Sequence, residues 1–184
     1  MGKTTTAQMF RDLGCPVFDA DAAVHNLYNS GGRAVPLIKA VFPDAVKDGA
    51  VDRRALGKHM QKDPLNLQVL ESFIHPMVAE ARGGFLQIAQ DNNSAFVVFD
   101  VPLLFETGGD KNVDIVVVVT ASAEVQRQRV LSRPGMSEDL FEKLLSRQMA
   151  DEEKRRQADH LIYTDKGLDF AREQVQKIIT LIQA

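Results

Sequence analysis

Ala95-Phe96-Val97-Val98-Phe99-Asp100 reads as a buried strand that ends in a carboxylate. A second such run, Val113-Asp114-Ile115-Val116-Val117-Val118-Val119, follows after a short interval. Runs that are apolar at nearly every position, rather than at alternate ones, belong to strands covered on both faces. They imply a parallel sheet under helices. Two shorter candidates flank them, Pro16-Val17-Phe18 and His160-Leu161-Ile162-Tyr163. Helical patterns are expected at 3–13, from Ala20 to about Tyr28, and at 122–132, 137–149, 151–157 and 168–183. Residues 33–90 read as mostly helical, with turns at Phe42-Pro43-Asp44, Lys47-Asp48-Gly49 and Lys62-Asp63-Pro64. Strands alternating with helices give an α/β domain, a parallel sheet covered by helices with a helical insert.

The bulk numbers set limits. The chain has 184 residues, 45% hydrophobic and 26% charged, an ordinary globular balance. A net charge of -3 leaves no sequence-wide basic footprint, so no nucleic-acid partner is expected. Cys15 is the single cysteine, which excludes an intramolecular disulfide and a cysteine metal cluster. No apolar run approaches the roughly 18 residues of a membrane span, and no membrane partner is expected. A cytoplasmic location is the expectation.

The N-terminus carries the first chemical signal. Gly2-Lys3-Thr4 stands where the closing G-K-[ST] of a phosphate-binding loop should be, and a helix follows. The loop's first glycine and the strand before it are not in the sequence. Met1 is therefore expected to be an internal methionine of a longer natural chain, with about ten to fifteen residues upstream. Ligands of parallel sheets sit beyond the carboxyl ends of the strands. Asp19, Asp21 and Asp100 all fall at such ends. A phosphate loop, a carboxylate for Mg²⁺ and a second carboxylate for a hydroxyl proton are the parts that phosphoryl transfer needs.

With these parts in view the chain resembles the dephospho-coenzyme A kinases. The residues that carry the likeness are G-K-T-T at 2–5, D-A-D at 19–21 and D-G-x-V-D-R-R-A-L at 48–56. I-H-P at 74–76, D-V-P-L-L-F-E at 100–106 and R-Q-x-x-x-x-E-K-R at 147–155 complete them. The resemblance implies a P-loop kinase-like core formed by 1–30, 95–120 and 158–184. It implies a helical substrate domain at 31–94, and a lid with flanking helices at 121–157. The implied reaction moves the γ-phosphoryl group of ATP to the ribose 3′-hydroxyl of dephospho-coenzyme A, with Mg²⁺ as cofactor.

By resemblance, Gly2, Lys3, Thr4 and Thr5 hold the phosphates, while Thr4 and Asp100 hold the metal. Asp21 is the implied catalytic base, although either Asp19 or Asp21 also suits a helix N-cap. Arg53, His75, Pro102 and Leu103 are the implied substrate positions. Of the arginines at 127, 129, 133 and 147, Arg133 and Arg147 are the expected catalytic pair, because they flank the Pro134-Gly135 turn. Thr164 and Gly167 are expected near the nucleotide base, with Thr164 standing where many family members have Asn. A monomer is expected, with an oligomer left open. Two other readings remain at this stage: a kinase of another small hydroxyl substrate, and a catalytically impaired protein that binds coenzyme A.

Overall fold

The computed structural model describes residues 1–184. The chain runs α1 (Lys3–Asp12), β1 (Val17–Asp19), α2 (Ala20–Tyr28), α3 (Val35–Val41), β2 (Val46–Lys47) and β3 (Ala50–Val51). It continues through α4 (Arg53–Lys62), α5 (Pro64–Asp91), β4 (Val98–Asp100), β5 (Val117–Thr120) and α6 (Ala123–Leu131). It closes with α7 (Glu138–Leu145), α8 (Asp151–Gln157), β6 (His160–Tyr163) and α9 (Leu168–Gln183). Two compact units result, one from Met1–Val17 with Ala95–Ala184, the other from Phe18–Ser94. No helix is long and apolar enough to cross a membrane.

The first unit is built on β5 and β6, which pair in parallel from Val117 opposite His160 to Thr120 opposite Tyr163. α1 and α9 close over them. Met9, Phe10 and Cys15 bury against Ile162, Val175, Ile178 and Ile179. Gly14, at φ 84, turns the chain out of α1 toward β1. Val98 N–H donates to the Pro16 carbonyl at 2.9 Å, which ties the start of β4 to the residue before β1. Gln174 of α9 closes the exposed side of β6. Its Oε1 accepts from Tyr163 N–H at 3.0 Å and its Nε2 donates to the Tyr163 carbonyl at 3.1 Å.

Both long apolar runs shorten in the structure, to Val98–Asp100 and Val117–Thr120. A ladder extends only as far as its partner, and β6 is four residues long. Before it, Asp159 Oδ2 accepts from Val116 N–H at 2.7 Å and ends the pairing. Nor is β5 covered equally on both sides: Val118 and Thr120 are buried, while Val117 and Val119 are half-buried. β4 and β5 do not pair with each other.

The second unit is helical around Ala34, Ile38, Phe42, Leu56, Leu70 and Ile74. Its hairpin of β2 and β3 turns at Asp48 and Gly49, both at positive φ. Sequence periodicity marks the turn but not strands of two residues each. Asp52 ends the hairpin and caps α4, its Oδ1 accepting from Arg54 N–H at 2.9 Å and Ala55 N–H at 3.0 Å. Asp63 and Pro64 start α5 in the same manner.

Candidate active site

In the first unit, α1 opens on Gly2 at φ 94, a left-handed conformation that side chains rarely adopt. A Cβ there would also lie 3.4 Å from the Thr164 methyl. α1 has no side-chain cap and no acidic residue in its first turn. Its first N–H groups therefore stay open to an anion at the positive end of the helix dipole. Lys3 Nζ, beside them, donates to Asp100 Oδ1 and forms an ion pair. Asp100 is buried at the end of β4, whereas the Lys3 side chain is 39% exposed. Thr4 and Thr5 are exposed on the first turn of α1.

Thr164, just past β6, is a junction rather than a free base contact. Its hydroxyl donates to the Met1 carbonyl at 2.8 Å and lies 3.2 Å from the Thr120 carbonyl. Arg129 of α6 grips it twice, Nη1 on the hydroxyl and Nη2 on the carbonyl, both at 2.8 Å. Gly167, at φ 99, precedes α9. The Met1 amino group has its pKa lowered, first by burial and then by the positive fields of Arg129 and Arg133, with Asp151 opposing. Thr120 at the end of β5 is fully buried and donates to Asp151 Oδ2 at 2.7 Å.

The four arginines divide. Arg127 pairs with Glu138 and so joins α6 to α7. Arg129 is consumed by Thr164. The guanidinium groups of Arg133 and Arg147 are exposed and have no partner within the chain. Arg129 is one of the four candidate arginines of the sequence, and no spacing rule separates it from Arg127.

Past β4, residues 101–108 form a looped turn that carries Pro102 and Leu103. Leu103 is 43% exposed at φ 55, an uncommon conformation for a branched residue. Such strain clusters at functional sites. Glu106 lies within this loop. Its Oε1 accepts from Met149 N–H at 2.8 Å and from Lys154 Nζ at 2.7 Å.

In the second unit the two aspartates separate cleanly. Asp19 is the N-cap of α2, its Oδ1 accepting from Ala22 N–H at 2.9 Å. Asp21 is exposed in the first turn and borders a cavity of about 540 Å³. Val24, Leu56 and Met60 give that cavity apolar walls, with Tyr28 and Arg53 alongside. The Arg53 guanidinium stands over the Tyr28 ring, 5.5 Å from its centroid. Burial raises the Tyr28 pKa, and the Arg53 charge acts against that rise. His75 lies on α5, exposed, and is not among the residues that line this cavity.

A helix start open to an anion, a lysine on a buried strand-end aspartate and arginines without partners are the kinds of group that phosphoryl transfer uses. Comparison with known proteins agrees. A family profile for dephospho-CoA kinase matches residues 1–169. The chain belongs to the dephospho-CoA kinase family. It is 48% identical over 184 residues to the dephospho-CoA kinase of Agrobacterium fabrum, covering 100% of this chain and 94% of that one. The Mesorhizobium japonicum dephospho-CoA kinase is 52% identical over 179 residues, 97% of this chain and 90% of its own. A solved protein from Thermus thermophilus superposes with TM-score 0.81 at 31% identity, covering 98% of this chain and 91% of that one. The Campylobacter jejuni dephospho-CoA kinase gives 0.72 at 25% identity, with the same coverage of 98% and 91%. The fold is the α/β kinase fold expected, and membership in the dephospho-CoA kinase family makes the protein an ATP-dependent phosphotransferase of coenzyme A biosynthesis.

Proposed function

We propose that the chain transfers the γ-phosphoryl group of ATP to the ribose 3′-hydroxyl of dephospho-coenzyme A, giving coenzyme A and ADP. The observation that carries this reading is the open start of α1 with Lys3 held on Asp100, set in a chain of this family. The Gly2–Thr5 backbone and Lys3 hold the β- and γ-phosphates. Arg133 and Arg147, free of partners in the chain, neutralise the oxygens of the transferring group. Thr164 and Gly167 border the base end of the nucleotide, with Thr164 acting by contact, because its hydroxyl, N–H and carbonyl are engaged by Met1, Thr120 and Arg129.

Asp21 receives the proton of the 3′-hydroxyl, or orients that hydroxyl, as its oxygen bonds to the γ-phosphorus and the bond to the β-phosphate oxygen breaks. The cavity beside Asp21 takes the acceptor, its apolar wall against the uncharged parts of the ligand and Arg53 toward its phosphates. His75, Pro102 and Leu103 extend the acceptor surface. The residues present fit Mg²⁺. Asp100 is a buried carboxylate, Thr4 offers a hydroxyl, and this ion takes few protein oxygens and completes its shell with phosphate and water. Bound there, it would offset negative charge on the β- and γ-phosphates. Residues 121–157 act as the lid, every group named is supplied by one chain, and a monomer in the cytoplasm suffices.

The test is coupled ADP release with Mg-ATP and a panel of acceptors that includes dephospho-coenzyme A, nucleoside monophosphates and sugar acids. Turnover confined to dephospho-coenzyme A is expected. Turnover with another acceptor alone, or coenzyme A binding with no turnover, would overturn the reading.

A further inference from the structure

Two of the stretches that carry the family likeness, 100–106 and 147–155, meet through one side chain. Glu106 closes the first. It receives Met149 N–H and Lys154 Nζ from the second, at 2.8 and 2.7 Å, on a single oxygen. Both partners of the ion pair are largely buried, Glu106 at 16% and Lys154 at 19% side-chain exposure. Burial alone would push the Glu106 carboxyl up. The bonds from Lys154, from its own N–H and from Met149 more than offset this, and its pKa lies below the ordinary glutamate value.

The segment it holds has little else to fix it. α7 ends at Leu145 and α8 starts at Asp151 without a side-chain cap. Between them, Arg147 and Gln148 N–H groups only fold back on Leu144 and Leu145, at 3.4 and 3.0 Å. Within 146–150, the hydrogen bond that reaches past the flanking helices is the one from Met149 to Glu106. Arg147 sits two residues before it. A guanidinium on an unanchored joint samples many positions, and misplacement of about 1 Å can cost roughly a hundredfold in rate.

We propose that Glu106 is a positioning residue: by holding Met149 and Lys154 it fixes the 146–150 joint, and with it Arg147, relative to the strand end that carries Asp100. This rests on the kinase reading for Arg147. It adds a residue that contacts neither substrate. The other Glu106 oxygen is buried with no hydrogen-bond partner, so anchoring runs through Oε1 alone. E106Q retains an acceptor for Met149 while discharging the pair, and E106A removes both bonds.

The experiment compares wild type, E106Q, E106A, R147A and E106A/R147A in steady-state kinetics with Mg-ATP and dephospho-coenzyme A. Hydrogen exchange of the 144–150 amides and melting curves accompany the kinetics. E106Q is expected to lose about tenfold in kcat and E106A roughly a hundredfold, with both KM values within about twofold of wild type. The double variant should be no slower than R147A, because a guanidinium that is absent cannot be misplaced. Costs that multiply in the double variant, or a loss confined to KM, would overturn the proposal. Exchange at Met149 should quicken in E106A, and unchanged exchange would also overturn it. If wild type fails to turn over dephospho-coenzyme A, the kinase reading falls, while faster exchange in E106A still supports the anchor.

Discussion

Replacing Lys3 with Met separates folding from chemistry at the phosphate end. Asp100 is 4% exposed and has Lys3 as its charged partner. Removing one member of a buried pair leaves an uncompensated charge, at a cost of about 3–5 kcal/mol. Lys3 is 39% exposed, so water reaches the pair and screens it. The discounted cost is about 2 kcal/mol. For a chain of this size that corresponds to a fall of about 4–8 °C in melting temperature. D100N should cost less, because the freed Lys3 can swing into solvent. K3M/D100N should then melt above K3M, since the buried charge has gone. All three variants should lack phosphoryl transfer, and K3M should bind Mg-ATP more weakly. Melting curves without ligand and titration calorimetry with Mg-ATP provide the readouts. If K3M melts with wild type, or the double variant melts no higher than K3M, the buried-pair reasoning is refuted.

Other outcomes follow from the same contacts. D19A should lower stability by about 1 kcal/mol through loss of the α2 cap, whereas D21N should leave the melting temperature unchanged and lower kcat by roughly 10²–10⁴. R133A should slow turnover by about a hundredfold without moving the melting curve, because its guanidinium has no partner in the chain. T164V keeps the methyl contact with Gly2 and the carbonyl acceptor for Arg129, but removes the hydroxyl acceptor for Arg129 and the donor to Met1. It should raise the KM for ATP about tenfold, as read in steady-state kinetics. The lowered Glu106 pKa stabilises the fold above the ordinary glutamate value of about 4.3, and that contribution is lost as pH falls through the folded-state pKa. The melting gap between wild type and E106Q should therefore be open at pH 7 and close on acidification below about pH 4.

Much of the fold was legible because its signals are local. α1 and α9 lie within a residue of the helices read from apolar spacing, and α2 and α8 match their spans. The strands were legible in place but not in length. Ile115 and Val116 are as apolar as Val117–Val119, yet only the second part finds a partner strand. Pairing depends on residues some forty positions away, which a window of sequence does not contain. Helix 137–149 was expected to run longer than the observed Glu138–Leu145 for the same reason. Glu106 takes the Met149 N–H that a continuing helix would have used internally. At the site, residue types were legible and partners were not. Asp19 and Asp21 are equivalent as letters. The extended backbone of Asp19, φ -103 and ψ 108, is what makes it the cap.

A polar side chain spent on the fold is fixed in direction and cannot also follow a reacting group. Asp19, Arg127 and Arg129 are spent in this way, on α2, on Glu138 and on Thr164. Asp21, Arg133 and Arg147 are not, and each stands on an element that a spent residue holds in place. Asp19 starts the helix that carries Asp21. Arg127 ties down the helix just before Arg133, and Glu106 the joint that carries Arg147. On the proposed reading, free groups on anchored backbones would meet charge that develops during transfer without first breaking a contact. Lys3 differs, since on the proposed reading it would leave Asp100 in whole or part to reach a phosphate. Its pairing keeps the cation beside Asp100 while the site is empty. Lys3 is therefore the one group of the set whose loss should register in both the melting curve and the turnover.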